Sequence, residues 1–134
     1  MERALDWLKQ AAKDLQHARN SLKSEDFEWT CFAAQQSAEK AVKALFQALH
    51  AEAWGHSVSG LLQRLPSSLE VKSPLIDQAK KLDRHYIPAR YPNSHPSGAP
   101  ADYYSHQDGL EAIGYAEEIY IFCENQIRTI QRKD

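Results

Sequence analysis

Apolar residues recur at three- and four-residue intervals through most of the chain, a spacing that predicts one amphipathic helix after another. Leu5, Leu8, Ala12, Leu15, Ala18 and Leu22 follow it, predicting a first helix from about Glu2 to Leu22 with these side chains on one face. Ser24-Glu25-Asp26 reads as a turn and cap that opens a second helix over roughly Phe27 to Leu49. The seam of that helix (Cys31, Ala34, Ala38, Ala41, Leu45, Leu49) is mostly small, which permits close approach of a neighbour. Beside it runs a stripe of Phe32, Gln36, Glu39, Lys43 and Phe46, in which Glu39 precedes Lys43 by one turn, the favourable order for a helical ion pair. Such a stripe is either a solvated face or, given its aromatic ends, a partly buried one.

Trp54-Gly55-His56 interrupts the pattern, and Ser57 to Leu65 is a short helix ended by Pro66. Ser73 as cap and Pro74 in the first turn start another helix, which carries Leu75, Ile76, Ala79 and Leu82 and stops near Arg84. The helical period then lapses. Between His85 and Tyr104 prolines fall at every fourth position (88, 92, 96 and 100), each removing an N–H and restricting its predecessor. Ser105 with Asp108 reads as a capping box for the last helix, whose expected buried face is Leu110, Ile113, Ala116, Tyr120, Cys123, Ile127 and Ile130. The expectation is an all-α fold of three long and two shorter helices, antiparallel where the connection is short, with an irregular proline-rich loop before the last helix.

Composition changes this picture little. The length of 134 residues suits a single domain, taken as residues 1–134. The net charge of −2 argues against a surface that coats nucleic acid, so a polyanion would have to be met by a local basic patch. No apolar run reaches membrane-spanning length, and Met1 to Trp7 already have the look of helix. With neither signal peptide nor anchor in view, the expected location is the cytoplasm. Cys31 and Cys123 lack any paired ligand spacing and read as reduced core or interface thiols.

Candidate chemistry concentrates in the proline loop, because long irregular connections inside compact helical domains are more often functional than filler. Arg90 offers a charged planar fork suited to phosphate, and His95 a proton donor or acceptor near neutral pH. Together they would suit metal-independent cleavage of an RNA phosphodiester. The alternative is that Arg90 braces the loop by donating to backbone carbonyls while His95 is simply exposed. Tyr86, Tyr91, Tyr103 and Tyr104 either stack nucleobases or pin the loop to the helices beneath it, and Asn93 and Asp102 are turn formers before they are ligands. The six histidines show no paired zinc spacing, so neither a metal nor another cofactor is expected. The glycines form no phosphate loop, so a nucleotide would be held by side-chain cations such as Lys40, Lys43 and Arg90, with Tyr91 and Asn93 beside them.

Several segments together carry a family resemblance. They are Ala4-Leu-Asp-Trp-Leu-Lys-Gln-Ala11, the helix Cys31-Phe-Ala-Ala-Gln-Gln-Ser-Ala-Glu-Lys-Ala-Val-Lys-Ala-Leu45, Gly55-His56, and Leu82-Asp83 through Tyr86-Ile-Pro-Ala-Arg-Tyr-Pro92. In these the chain resembles the small prokaryotic HEPN proteins over nearly its whole length. The resemblance implies an up-and-down helical bundle, a homodimer, and a small nucleotidyltransferase as partner in a toxin–antitoxin-like pair, with nucleotide or RNA as ligand and no membrane. Catalytic members of that superfamily are metal-independent RNases with an arginine followed four to six residues later by a histidine, a pattern onto which Arg90 and His95 fall. Tyr91 stands where active RNases usually carry a small polar residue, and Pro92 follows it.

Overall fold

The computed structural model describes residues 2–133, so Met1 and Asp134 lie outside the described residues. Five α-helices follow one another: α1 (Glu2–Lys23), α2 (Phe27–Ala48), α3 (Val58–Gln63), α4 (Ser73–Asp83) and α5 (His106–Lys133). α2 is the central element, packed along α1 on one side and α5 on another, with the shorter α3 and α4 closing the remainder.

The close approach of α1 and α2 follows from their small residues. Ala4, Ala11 and Ala18 of α1 and Ala34, Ala38 and Ala41 of α2 are all fully buried, and the Ser37 hydroxyl donates to the Ala11 carbonyl at 2.7 Å across the α1–α2 seam. The α1 face differs from the expected one at two positions. Leu5 is 51% exposed and Ala12 is also exposed, because the register that fits α2 runs Ala4, Leu8, Ala11, Leu15, Ala18. At each step the periodic pattern allowed an interval of three or four, and alanine against alanine decided which. In α5 the same ambiguity places Leu110 in solvent and buries Ile119 instead.

Helix ends show what the pattern could not. Glu25 and His50 both adopt the left-handed backbone, at φ 64° and 56°. Around Glu25, the Asp26 N–H reaches the Ser21 carbonyl and the Glu25 N–H reaches Leu22; around His50, Ala51 reaches Phe46 and His50 reaches Gln47. These paired bonds end α1 and α2 as Schellman motifs in which a side chain occupies the position that favours glycine. Asp26 stands at the N-cap of α2 without a side-chain capping bond, and Lys72 rather than Ser73 stands at the N-cap of α4. Ser105 and Asp108 do form the expected box at the start of α5. α5 approaches closely there because Gly109 has no side chain, since a Cβ on it would lie 2.8 Å from Leu22 Cδ1. Cys31 and Cys123 are both free and fully buried, and burial pushes both thiols far above the usual range, Cys31 to about 12. Among the described residues, no helix is long and apolar enough to cross a membrane.

Candidate functional site

The proline loop is ordered by its own side chains. A run of turns from Arg84 to Tyr91 leads into two short 3-10 segments, Pro92–Ser94 and Pro100–Asp102, with Ala89 and Pro100 buried as anchors. The His95 Nε2–H donates to the Pro88 carbonyl at 2.7 Å, and its ring stacks on Tyr103 with centroids 4.2 Å apart. Tyr103 in turn donates its hydroxyl to the Ser97 carbonyl, and Asp102 accepts the Ala99 N–H at 2.8 Å. His95 is therefore half-buried and turned toward the backbone of its own loop. Tyr104 pins the other end through His85 Nδ1, 3.3 Å from its hydroxyl.

Arg90 occupies the point where this loop crosses α2. Its Nε–H donates to the Tyr86 carbonyl at 2.8 Å, which fixes the plane of the guanidinium. That plane then lies over three aromatic rings, with Cζ 4.4 Å from the Phe32 centroid, 4.8 Å from Tyr86 and 5.0 Å from Tyr91. Each ring face presents its negative quadrupole to the cation, so the charge is stabilised without a carboxylate. Arg90 has no ion pair among the described residues. The obvious nearby acid, Asp83, is committed elsewhere: it accepts the Val58 N–H at 2.6 Å, the Ser59 N–H at 3.2 Å and the hydroxyls of Ser57 and Ser59 at 3.0 and 2.6 Å. Asp83 thus ties the end of α4, where the loop departs, to the start of α3.

The segment held by that tie carries His56. Gly55, at φ 85°, turns the chain into it, and two residues of the Gln35-Gln36-x-x-Glu39-Lys40 stretch of α2 receive it. Gln35, fully buried, donates its amide to the His56 carbonyl at 3.1 Å. The buried Glu39 accepts His56 Nδ1–H at 3.1 Å, Lys43 Nζ at 3.0 Å and the Gln35 amide at 3.2 Å. The His56 ring stacks on Tyr86, with centroids 4.7 Å apart and planes 16° from parallel. Tyr86 therefore bears both the Arg90 guanidinium and the His56 imidazole.

Lys43 belongs to this cluster through Glu39, and Tyr91 through its contact with Arg90. Lys40 is held on the other flank of α2 by Asp14 of α1 at 2.5 Å, and Asn93 is exposed in the first 3-10 segment. Phe32, Glu39 and His56 are not expected as site residues from the sequence, and Tyr86 is expected there only as a base-stacking or loop-pinning ring. The pairing of His56 with Glu39 and Tyr86 spans a chain break and a helix, and no local spacing records it. A larger groove, about 540 Å³, lies elsewhere, between α1 and α5, where Leu15, Tyr120 and Ile121 surround an Arg19–Glu117 ion pair. It holds no unpaired cation and no histidine, so the chemistry favours the Arg90 cluster. Beside Phe32 a groove of about 220 Å³, lined by Trp29, Phe32, Gln36 and Lys40, is too small to enclose a drug-sized ligand, for which roughly 300 Å³ or more is usual. A ligand at Arg90 would lie across the surface.

Comparison with known proteins follows the same lines. Residues 4–126 match the sequence model of the HEPN domain. The fold is similar to the crystal structure of TT1696 from Thermus thermophilus, with 47% identity, a TM-score of 0.92, and coverage of 94% of this chain and 99% of that one. It is similar also to ST0689, an archaeal HEPN homologue, at 41% identity and TM-score 0.79, covering 95% and 99% of the two chains. An HEPN domain protein of Thermotoga maritima, tm0613, gives 40% identity and 0.74, over 90% and 95%. Over 122 residues the sequence is 26% identical to a Methanocaldococcus jannaschii protein named "Putative toxin MJ1304", spanning 84% of this chain and 80% of that protein.

Proposed function

This chain belongs to the HEPN domain family, and from that premise we propose that it binds a nucleotide or single-stranded RNA through Arg90, as the toxin-like member of a two-component pair. The observation that carries this reading is the state of the guanidinium. A cation oriented by one backbone bond, bedded on three rings and paired with no carboxylate retains donors for a phosphate. Tyr91, about half exposed beside it, provides a face on which a base can stack. Lys43 and Lys40 are paired with Glu39 and Asp14, so the cation with donors to spare for a phosphate is Arg90. The two-component role rests on the likeness to the named toxin; a small nucleotidyltransferase as partner and a homodimer are what the resemblance to the HEPN proteins implies. Binding rather than cleavage is assigned to the loop, because the His95 ring is held against its own loop by the Pro88 carbonyl and by stacking on Tyr103.

The test is differential scanning fluorimetry with a 5′-nucleotide series. The unmutated protein is expected to melt several degrees higher with saturating ligand, and Arg90→Ala to lose that increment while its unliganded melting temperature changes less. An equal ligand-induced increment in Arg90→Ala would remove Arg90 from the site.

A further inference from the structure

We infer that His56, oriented by Glu39, is a second ligand-contacting group of this site and takes a phosphate oxygen of the same nucleotide or RNA that Arg90 binds. The inference rests on the reading of Arg90 given above and adds a residue to it.

The bonding fixes which atom of the imidazole is offered. Nδ1 lies 3.2 and 3.1 Å from the two Glu39 oxygens, and a carboxylate only accepts, so the hydrogen is on Nδ1 and Nε2 is left for another partner. A carboxylate behind one imidazole nitrogen fixes the tautomer and orients the ring. The segment is pinned as firmly, by Gln35 at the His56 carbonyl and by Asp83 at the next three residues. Yet the His56 side chain is 55% exposed while its Glu39 partner is 6% exposed. A buried, fully hydrogen-bonded carboxylate spent on holding an accessible ring is a costly arrangement for a residue with no task, since burying a charge carries a desolvation penalty.

The geometry also joins His56 to Arg90. Both lie on Tyr86, the ring of one at 4.7 Å and the guanidinium carbon of the other at 4.8 Å from its centroid. The charged groups of this cluster are Glu39, which His56 meets directly, Lys43 bound to the same carboxylate, Arg90 on the Tyr86 ring, and Asp83 bonded to the adjacent Ser57. Protonation at Nε2 leaves the Nδ1–H bond to Glu39 intact, so the ring need not move to become a phosphate donor.

Calorimetric titration with adenosine 5′-monophosphate and with a single-stranded ribo-octamer, at about pH 8 and pH 6, tests this, and the two probes separate a free nucleotide from an RNA strand. The unmutated protein is expected to bind at least one probe more tightly at the lower pH. His56→Gln should match it within about twofold at the higher pH and lose roughly tenfold at the lower, the scale of one charge-assisted hydrogen bond. A parallel carbon–proton NMR spectrum of the histidine rings needs no functional variant: the His56 signal should shift on addition of the bound probe. If His56→Gln keeps the full gain at low pH and the His56 signal stays still, while Arg90→Ala has lost binding, His56 is excluded and the Arg90 reading stands. If the unmutated protein binds neither probe at either pH, both fall.

Discussion

His85 holds the loop to the bundle from a setting that makes it sensitive to acid. Burial, the largest influence, together with the Arg84 charge, lowers its pKa below the ordinary imidazole value, while Asp108 opposes them, and its Nδ1 meets the Tyr104 hydroxyl. Tyr104 is itself pushed up to about 12 by burial and by Cys31, Asp108 and Glu28, so it remains a neutral phenol throughout. Above the ordinary histidine pKa, near 6.5, neither folded nor unfolded His85 carries a proton; below it the unfolded chain takes one up and the folded chain resists. Stability should therefore fall as the pH drops from about 7 toward 5, and His85→Gln should flatten that fall in urea melts run across the range. At this scale the loop chemistry was half legible. That Arg90 donates to a backbone carbonyl follows from what an arginine among turns can do, whereas the three-ring bed beneath it includes Phe32, whose place beside the loop only the tertiary fold supplies.

At the level of helices, periodicity located all five, and the capping box at Ser105 and Asp108 marked the start of α5 correctly. What periodicity does not encode is the choice between neighbouring registers when several alanines compete, hence the misplacement of Leu5, Ala12 and Leu110. Nor does it reveal a left-handed residue that is not glycine. Glu25 and His50 each hold such a conformation at a Schellman terminus, where a Cβ is disfavoured. Glu25→Gly and His50→Gly should each stabilise the fold by about 1 kcal/mol, read from the chemical denaturation midpoint at unchanged m-value. Both side chains are exposed, so little packing is lost with them. The motif shared by Gln35 and Glu39 was visible as letters and unreadable as contacts. Its meaning lies in His56, twenty-one and seventeen residues away, which Gln35 grips by the carbonyl and Glu39 by the ring.

For the molecule as a whole, charge sets a limit on how an anion can be held. The chain carries a net charge of −2, and two of the cations nearest the site are already satisfied, Lys40 by Asp14 and Lys43 by Glu39. Attraction then comes from Arg90, joined by His56 when protonated, and not from a basic field. Counterion release should be correspondingly small. For a single-stranded RNA probe, a plot of log affinity against log salt concentration should have a slope of roughly −0.7 at about pH 8 and roughly −1.4 at about pH 6, one phosphate and then two. A slope several times steeper would mean that the strand runs over much more of the surface than the Tyr86 platform.

The sealed thiols of Cys31 and Cys123 have a practical consequence. One sits on α2 and the other on α5, both without solvent contact and both protonated at any ordinary pH. Alkylating reagents attack the thiolate, so neither sulfur should react until the helices around it separate. Mass spectrometry after timed exposure to iodoacetamide would then act as a clock for spontaneous opening. Labels arriving together on both cysteines would signal one concerted event, and an early label on Cys31 alone would show the contact of α2 with the start of α5, around Asp108 and Glu111, opening first.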